Sequence, residues 1–167
     1  VKTYVIVGGV AGGAGTAARL RRLDEQARII MFERGEHISY ANCGLPYYAG
    51  GTITERSRLF VITAQRFTDV FGVEVKTEHE VVSINREEQS VRIRDLKTNR
   101  EFDQYYDTLV LSPGAEPIKP KIPGIEDPDI YTVRSVTDID AIVKKIEDHN
   151  TSRAVVVGGG FIGLEMA

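Results

Sequence analysis

Blocks of apolar and polar residues along the chain predict an alternation of strands and helices. Residues 2–7 are apolar and β-branched, the pattern of a buried strand. Gly8-Gly9-Val10-Ala11-Gly12-Gly13 follows as a flexible turn. Residues 14–23, rich in Ala, Leu and Arg, read as a helix, and residues 28–33 as a second apolar strand. Such a strand-helix-strand unit calls for a right-handed crossover and a parallel sheet. Residues 41–49 predict a short helix with Cys43 in its first turn. Residues 63–71 predict another helix, with Thr63 as its cap. Residues 80–85, 90–96 and 101–106 read as short antiparallel strands joined by polar turns, and residues 108–111 as a further buried strand. A link containing Pro113, Pro117, Pro120, Pro123 and Pro128 leads to Ser135, which caps a helix over residues 136–149. Residues 153–157 then open a second strand-turn-helix unit. Its helix would hold only about one turn, too little to stand alone, so the chain reads as the front of a longer protein.

Composition narrows the classes. The chain has 167 residues, 42% apolar and 27% charged, ordinary values for a folded domain with a real core. A net charge of -3 and scattered Lys and Arg give no reason to expect nucleic acid. No apolar run approaches the ~20 residues that span a bilayer, and no signal peptide is visible. Cys43 is the only cysteine, which fits a reducing cytoplasm. His37, His79 and His149 lie far apart without metal-ligand spacing, so no metal is expected.

Two glycine turns and the cysteine carry the chemistry. A dinucleotide turn has the form G-x-G-x-x-G between a strand and a helix. In the first turn Gly8 and Gly13 fit, but Val10 holds the middle position. Alone, it also fits a glycine-rich connection without a ligand. Its place before a helix lets backbone N–H groups face a phosphate, and Glu33 at the end of the second strand can accept hydrogen bonds from ribose hydroxyls. The second turn, Gly158-Gly159-Gly160-Phe161-Ile162-Gly163, matches fully. Two such turns suit a flavin enzyme that takes hydride from a nicotinamide nucleotide. A lone thiol cannot form an internal disulfide. Cys43 is either an inert buried residue or a reactive thiol at a helix N-terminus, where the thiolate is favoured; polar Ser39 and Asn42 nearby favour the second. Arg19 and Arg22 share a helix face and fit either solvent or a phosphate-bearing substrate.

With these residues the chain resembles the pyridine nucleotide-disulfide oxidoreductase superfamily, in its single-cysteine branch, and the run Val7 to Gly13 with Arg19-Leu20-Arg21-Arg22-Leu23-Asp24 resembles its coenzyme A disulfide reductase group. Ser39-Tyr40-Ala41-Asn42-Cys43-Gly44-Leu45-Pro46-Tyr47-Tyr48 resembles the coenzyme A disulfide reductase group, with coenzyme A persulfide and polysulfide reductases close. That group also tolerates Val10. Leu109 to Ala115 resembles the superfamily's second flavin-contacting segment.

The resemblance implies an α/β fold: a Rossmann-like FAD-binding domain with an antiparallel β insertion over residues 1–151, then the first strand-turn-helix of a second Rossmann-like, NAD(P)-binding domain over residues 152–167. Gly8, Gly9, Val10, Ala11, Gly12, Glu33, Arg34, Ser112, Pro113 and Gly114 would contact FAD, and Val81 its adenine end. Gly158, Gly160 and Gly163 would serve NAD(P)H. Cys43 would be the redox nucleophile, with coenzyme A as substrate or as a mixed disulfide on its sulfur. Arg19, Arg22, Ser39 and Asn42 would meet the small-molecule thiol or disulfide. Gly15 and Arg19 depart from the Thr and Gln of some members, and Phe71 from a lysine. The implied protein is a cytoplasmic homodimer that reduces a disulfide, persulfide or polysulfide with NAD(P)H. Two alternatives remain: an NADH oxidase or peroxidase cycling Cys43 through sulfenic acid, and a non-catalytic flavin-binding redox module.

Overall fold

The structure, a computed structural model, describes residues 1–149 and 151–167. In chain order its elements are β1 (Thr3–Val7), α1 (Ala11–Leu23), β2 (Arg28–Glu33), a 3-10 turn (Asn42–Gly44), α2 (Leu45–Ala49), a second 3-10 turn (Arg56–Leu59), α3 (Ala64–Phe71), β3 (Glu74–Thr77), β4 (His79–Asn85), β5 (Ser90–Asp95), β6 (Glu101–Tyr105), β7 (Thr108–Leu111), α4 (Val136–His149) and α5 (Phe161–Met166). They divide into two compact units. One holds Val1–Tyr40 and Val61–Gly114; the other holds Ala41–Phe60 and Ala115–Ala167.

The first unit is built on a four-stranded sheet of order β3-β2-β1-β7, parallel throughout. Ile29, Ile30, Met31 and Phe32 of β2 are all buried, because a parallel sheet is covered on both faces. Ile29 and Met31 join Ile6, Ala14 and Ala17 of α1 and Phe67 of α3. Ile30 and Phe32 point the other way, with Val5, to meet Val91 and Ile93 of β5. Strands β4, β5 and β6 form a separate antiparallel sheet, with a register shift between Val81 and Ser83. The Thr63 hydroxyl accepts the Arg66 N–H at 3.3 Å and caps α3, and Gly72 ends that helix at a φ of 59°. The Arg21 guanidinium donates to the carbonyls of Phe71 at 2.8 Å, Gly72 at 2.9 Å and Glu25 at 2.7 Å. It thereby ties the C-terminal ends of α1 and α3 and places positive charge at both.

Several expectations change in detail. Helix α1 begins at Ala11 rather than residue 14, so Gly12 and Gly13 are helical and the turn shrinks to Gly8, Gly9 and Val10. Strand β3 was not anticipated, because four residues with two charges, Glu74-Val75-Lys76-Thr77, show too little pattern to stand out. It pairs with β2, and the Arg28–Glu74 ion pair at 2.7 Å fastens the two. The hydrogen bond from Arg28 holds the Glu74 carboxyl below the usual carboxylate range. Residues 153–157 are extended in pattern but form no strand; among the described residues no ladder partner pairs with them, and Val155 and Val157 are exposed. The expected helix over residues 41–49 divides into a 3-10 turn and α2, because Pro46 near its start offers no N–H.

In the second unit, α2 packs against α4 and α5, with Leu45, Pro46, Leu59, Val136 and Ile139 buried. The Arg56 guanidinium makes a two-pronged bond to Asp140, its shortest contact 2.8 Å, and so fastens the second 3-10 turn to α4. Ser135 caps α4 as expected. Its hydroxyl accepts the Asp138 N–H at 3.3 Å, while the Asp138 carboxylate accepts the Ser135 N–H at 2.8 Å, a reciprocal cap. Among the described residues no helix is long and apolar enough to cross a membrane.

Candidate functional site

Sheet order reverses at β1. Chain-consecutive β2 lies on one side of it and late-returning β7 on the other. Ligands of open parallel sheets bind outside the carboxyl ends of strands at such a point. Gly8 leaves β1 there with a φ of 93°, a left-handed conformation that favours glycine. Its N–H donates to the Phe32 carbonyl at 2.8 Å, and the Ser112 N–H donates to the Val7 carbonyl at 2.8 Å. A Cβ on Gly8 would lie 2.0 Å from the Ser112 carbonyl oxygen, so β7 passes too close for any side chain. At the start of α1, a Cβ on Gly13 would lie 1.7 Å from the Gly8 carbonyl oxygen.

Glu33 closes the other side. Its carboxylate accepts the Gly9 N–H and the Gly35 N–H, both at 2.7 Å, one on each oxygen. The Gly9 carbonyl accepts the Ser39 N–H at 2.9 Å, and a Cβ on Gly9 would come within 2.7 Å of Ile38. Ser39 itself has a φ of 47°, unusual for a side-chain-bearing residue. Val10 takes the N-cap position of α1 with φ -86° and ψ -130°. A negative φ needs no glycine, which is why valine is accommodated there.

The N-terminus of α1 has no side-chain cap and no acidic residue in its first turn. Its first N–H groups have no intrahelical partner, and Ala11 and Gly12 are exposed. A Cβ on Gly12 would touch the Ser112 hydroxyl at 3.1 Å. Backbone donors and a positive helix end beside a carboxylate at the β2 terminus match the two parts of a nucleotide, phosphate and ribose. The residues therefore fit a dinucleotide cofactor.

The remaining expected residues fall into three places. Arg34 and Val81 belong to the same unit as the turn. Arg34 lies 3.9 Å from Glu80, and Val81 is half-buried against Val5, Ile30 and Phe32. Pro113 and Gly114 are exposed beyond β7. Arg19 and Arg22 are exposed on α1. Asn42 and Cys43 lie in the second unit, in the 3-10 turn that leads into α2, and both are exposed. Gly44 behind them is packed: a Cβ there would meet Ile53 and Leu59 at 3.3 Å. Gly158 (φ 112°), Gly160 and Gly163 form the second turn in that unit, where a Cβ on Gly163 would lie 1.9 Å from the Gly158 carbonyl. Sequence reasoning overlooked Ile38, the residue that makes Gly9 obligatory, and named Ser39 without anticipating its left-handed backbone. Neither carries a local signal, because both constraints arise from contacts with the glycine turn.

A glycine turn at the switch point of a parallel sheet, closed by an acidic strand end, defines an α/β protein of the Rossmann-like, dinucleotide-binding class. The chain belongs to the pyridine nucleotide-disulphide oxidoreductase family, whose model matches residues 2–167. It is 41% identical over 166 residues to a coenzyme A disulfide reductase of Staphylococcus haemolyticus, covering 99% of this chain and 37% of the relative. The crystal structure of reduced Bacillus anthracis CoADR-RHD superposes with a TM-score of 0.97 at 53% identity, covering 99% of this chain and 30% of that one. A NAD-dependent persulfide reductase from A. fulgidus superposes at 0.93 with 36% identity, covering 98% and 31%. The chain thus spans about a third of the length of the relatives it matches.

Proposed function

We propose that this chain is the front of an FAD-dependent NAD(P)H:disulfide oxidoreductase that reduces coenzyme A disulfide, or coenzyme A persulfide or polysulfide, through Cys43. Residues 1–151 supply the first part of the FAD domain, and residues 152–167 begin the NAD(P)-binding domain. Support for the second assignment is the repeat of the Gly8–Gly13 contact at Gly158–Gly163. The full-length protein acts in the cytoplasm as a homodimer on a small-molecule thiol or disulfide. The observation that carries the reading is the chain's only cysteine, exposed in the Asn42–Gly44 turn, in a chain whose first turn fits a dinucleotide.

FAD, when bound, accepts hydride from NAD(P)H and returns the electron pair to sulfur. The N–H groups at the start of α1 would hold its pyrophosphate, and Glu33 would accept hydrogen bonds from its ribose. Gly9, Ala11, Arg34, Ser112, Pro113 and Gly114 would contact it, and Val81 would meet its adenine end. The Cys43 thiolate attacks one sulfur of the disulfide and expels one coenzyme A thiolate, which takes a proton. The Cys43–S–S–CoA mixed disulfide then takes two electrons and a proton, releasing the second thiol and restoring the thiolate. Arg19 and Arg22 hold the phosphate-bearing end of the substrate, and Ser39 and Asn42 orient the sulfur.

Cys43→Ser in the full-length protein tests the reading. Flavin reduction by NAD(P)H should survive, because it does not use the thiol. Reduction of coenzyme A disulfide should vanish, and mass spectrometry of the wild type should find a coenzyme A adduct on Cys43 released by dithiothreitol. A serine variant that still reduced the disulfide would refute the mechanism.

A further inference from the structure

The antiparallel sheet carries an ordered row of charge on its outer face. Glu80 of β4 stands opposite Arg94 of β5, and Arg94 opposite Glu101 of β6. Arg94 lies 3.9 Å from Glu80 and 2.9 Å from Glu101. The next row repeats the pattern, with Arg92 opposite Asp103 and its guanidinium making two bonds to that carboxylate. Arg92 also reaches Glu101 at 3.7 Å. At the other end the row does not stop at the sheet: Glu80 lies 3.9 Å from Arg34, the residue after Glu33 at the close of β2. The result is one alternating chain of side chains, Arg34–Glu80–Arg94–Glu101–Arg92–Asp103, running to the end of the strand that borders the glycine turn.

We propose that Glu80 is a positioning residue for Arg34, and that the cross-strand row holds Glu80 in place so that the guanidinium, next along the chain from Glu33, stands ready for the dinucleotide. This rests on the reading above that Arg34 meets FAD. Two features favour it. Arg34 is half exposed on a long flexible side chain, and such a side chain loses rotamer freedom when it grips a ligand. An acidic neighbour that is itself braced can meet part of that loss before the ligand arrives. A single exposed pair does little, whereas a network of opposed charges has geometry that one pair lacks. Glu80 lies 3.9 Å from each of two guanidinium groups, Arg34 and Arg94, and so adds little net negative charge beside them.

The alternative is that Glu80 merely dilutes the positive charge of Arg34. The two ideas differ in sign. Under positioning, Glu80→Gln and Arg94→Gln both weaken FAD. Under dilution, removing the acid strengthens FAD and removing the base weakens it. The experiment strips FAD from the full-length protein, titrates it back into wild type, Glu80→Gln, Arg94→Gln, Arg34→Gln and the Glu80→Gln/Arg34→Gln double variant, and follows flavin fluorescence at two salt concentrations. Expected are losses of about two- to fivefold in FAD affinity for Glu80→Gln and Arg94→Gln at low salt, smaller at high salt. In the Arg34→Gln background Glu80→Gln should have no further effect. A gain of affinity in Glu80→Gln, no change, or a loss that persists undiminished without Arg34 overturns the proposal while leaving the flavin reading intact. A wild-type protein that takes up no FAD overturns both.

Discussion

The two glycine turns share a backbone plan and differ in what surrounds it. In both, the first glycine has a positive φ, 93° at Gly8 and 112° at Gly158. In both, the last glycine packs on the first one's carbonyl, at 1.7 Å and 1.9 Å for the Cβ that glycine lacks. Both middle positions are N-caps of negative φ, Val10 at -86° and Gly160 at -76°. The first turn is hemmed in by Ser112, Ile38 and Glu33, whereas a Cβ on Gly158, Gly159 or Gly160 would meet no atom within 4 Å among the described residues. The first and last glycines therefore answer to the turn and the helix that follows it. The others answer to neighbours, and so a valine can replace one of them in the first turn without altering its path.

The largest effect should come from the shared contact. Gly13→Ala places a methyl against a backbone carbonyl that has no room to retreat, and should destabilise the flavin domain by about 4 kcal/mol or more. In the full-length protein the measure is bound flavin per chain and melting temperature, and both should fall sharply. Gly163→Ala repeats the clash in the second turn, and should abolish flavin reduction by NAD(P)H while leaving flavin bound. If the two variants lost the same function, the turns would not serve separate nucleotides.

The next test separates conformation from crowding. Gly8→Ala suffers both the left-handed φ and the Ser112 carbonyl at 2.0 Å. Gly158→Ala suffers the φ alone among the described residues, a strain of about 1–3 kcal/mol. Denaturant unfolding should therefore rank Gly8→Ala well below Gly158→Ala. Equal losses would mean that β7 yields, and that the closeness of Ser112 is not a constraint.

Much of this was legible from pattern, and the exceptions have a common cause. The apolar run at residues 28–33 and the polar-apolar alternation of β5 point to strands because burial imposes a period on them. Thr63 and Ser135 are readable as caps because their bonds reach only three residues along the chain. Strand β3 was not readable: its bonds to β2 come from Ile30 to Glu33, far away in sequence. The same holds in the site. Gly8, Gly13 and Glu33 announce themselves by spacing, whereas the packing of Ile38 and the left-handed backbone of Ser39 arise only because the chain folds back onto Gly9.

Glu33 sharpens the comparison at a smaller scale, since among the described residues only the first turn has its N–H clasped by a carboxylate in this way. Glu33→Gln keeps the shape but offers one acceptor oxygen where two N–H groups now donate, and turns an amide N–H toward one of them. Loss of charge-assisted bonds of this kind costs about 1.5–3 kcal/mol. Flavin should dissociate more readily from Glu33→Gln and Glu33→Ala, with little change in the rate of disulfide reduction once FAD is saturating. Unchanged FAD affinity would remove Glu33 from the site.

The smallest effect concerns Gly15, which belongs to neither constraint. It lies on the exposed face of α1, has no positive φ, and a Cβ there meets nothing within 4 Å. Glycine within a helix is worse than alanine by roughly 0.5–1 kcal/mol, so Gly15→Ala should raise the unfolding midpoint slightly. Flavin content should not change, because the turn's own glycines are untouched. The fold thus gives no reason for glycine at this position. One turn further along α1 stands Arg19, and Arg22 follows on the same exposed side. If the bare stretch exists to admit the substrate beside those arginines, Gly15→Ala should raise the KM for coenzyme A disulfide while stability improves. If KM and kcat both stay at wild-type values as stability rises, the arginines of α1 do not form a substrate surface with Gly15, and their exposure is that of an ordinary solvated helix.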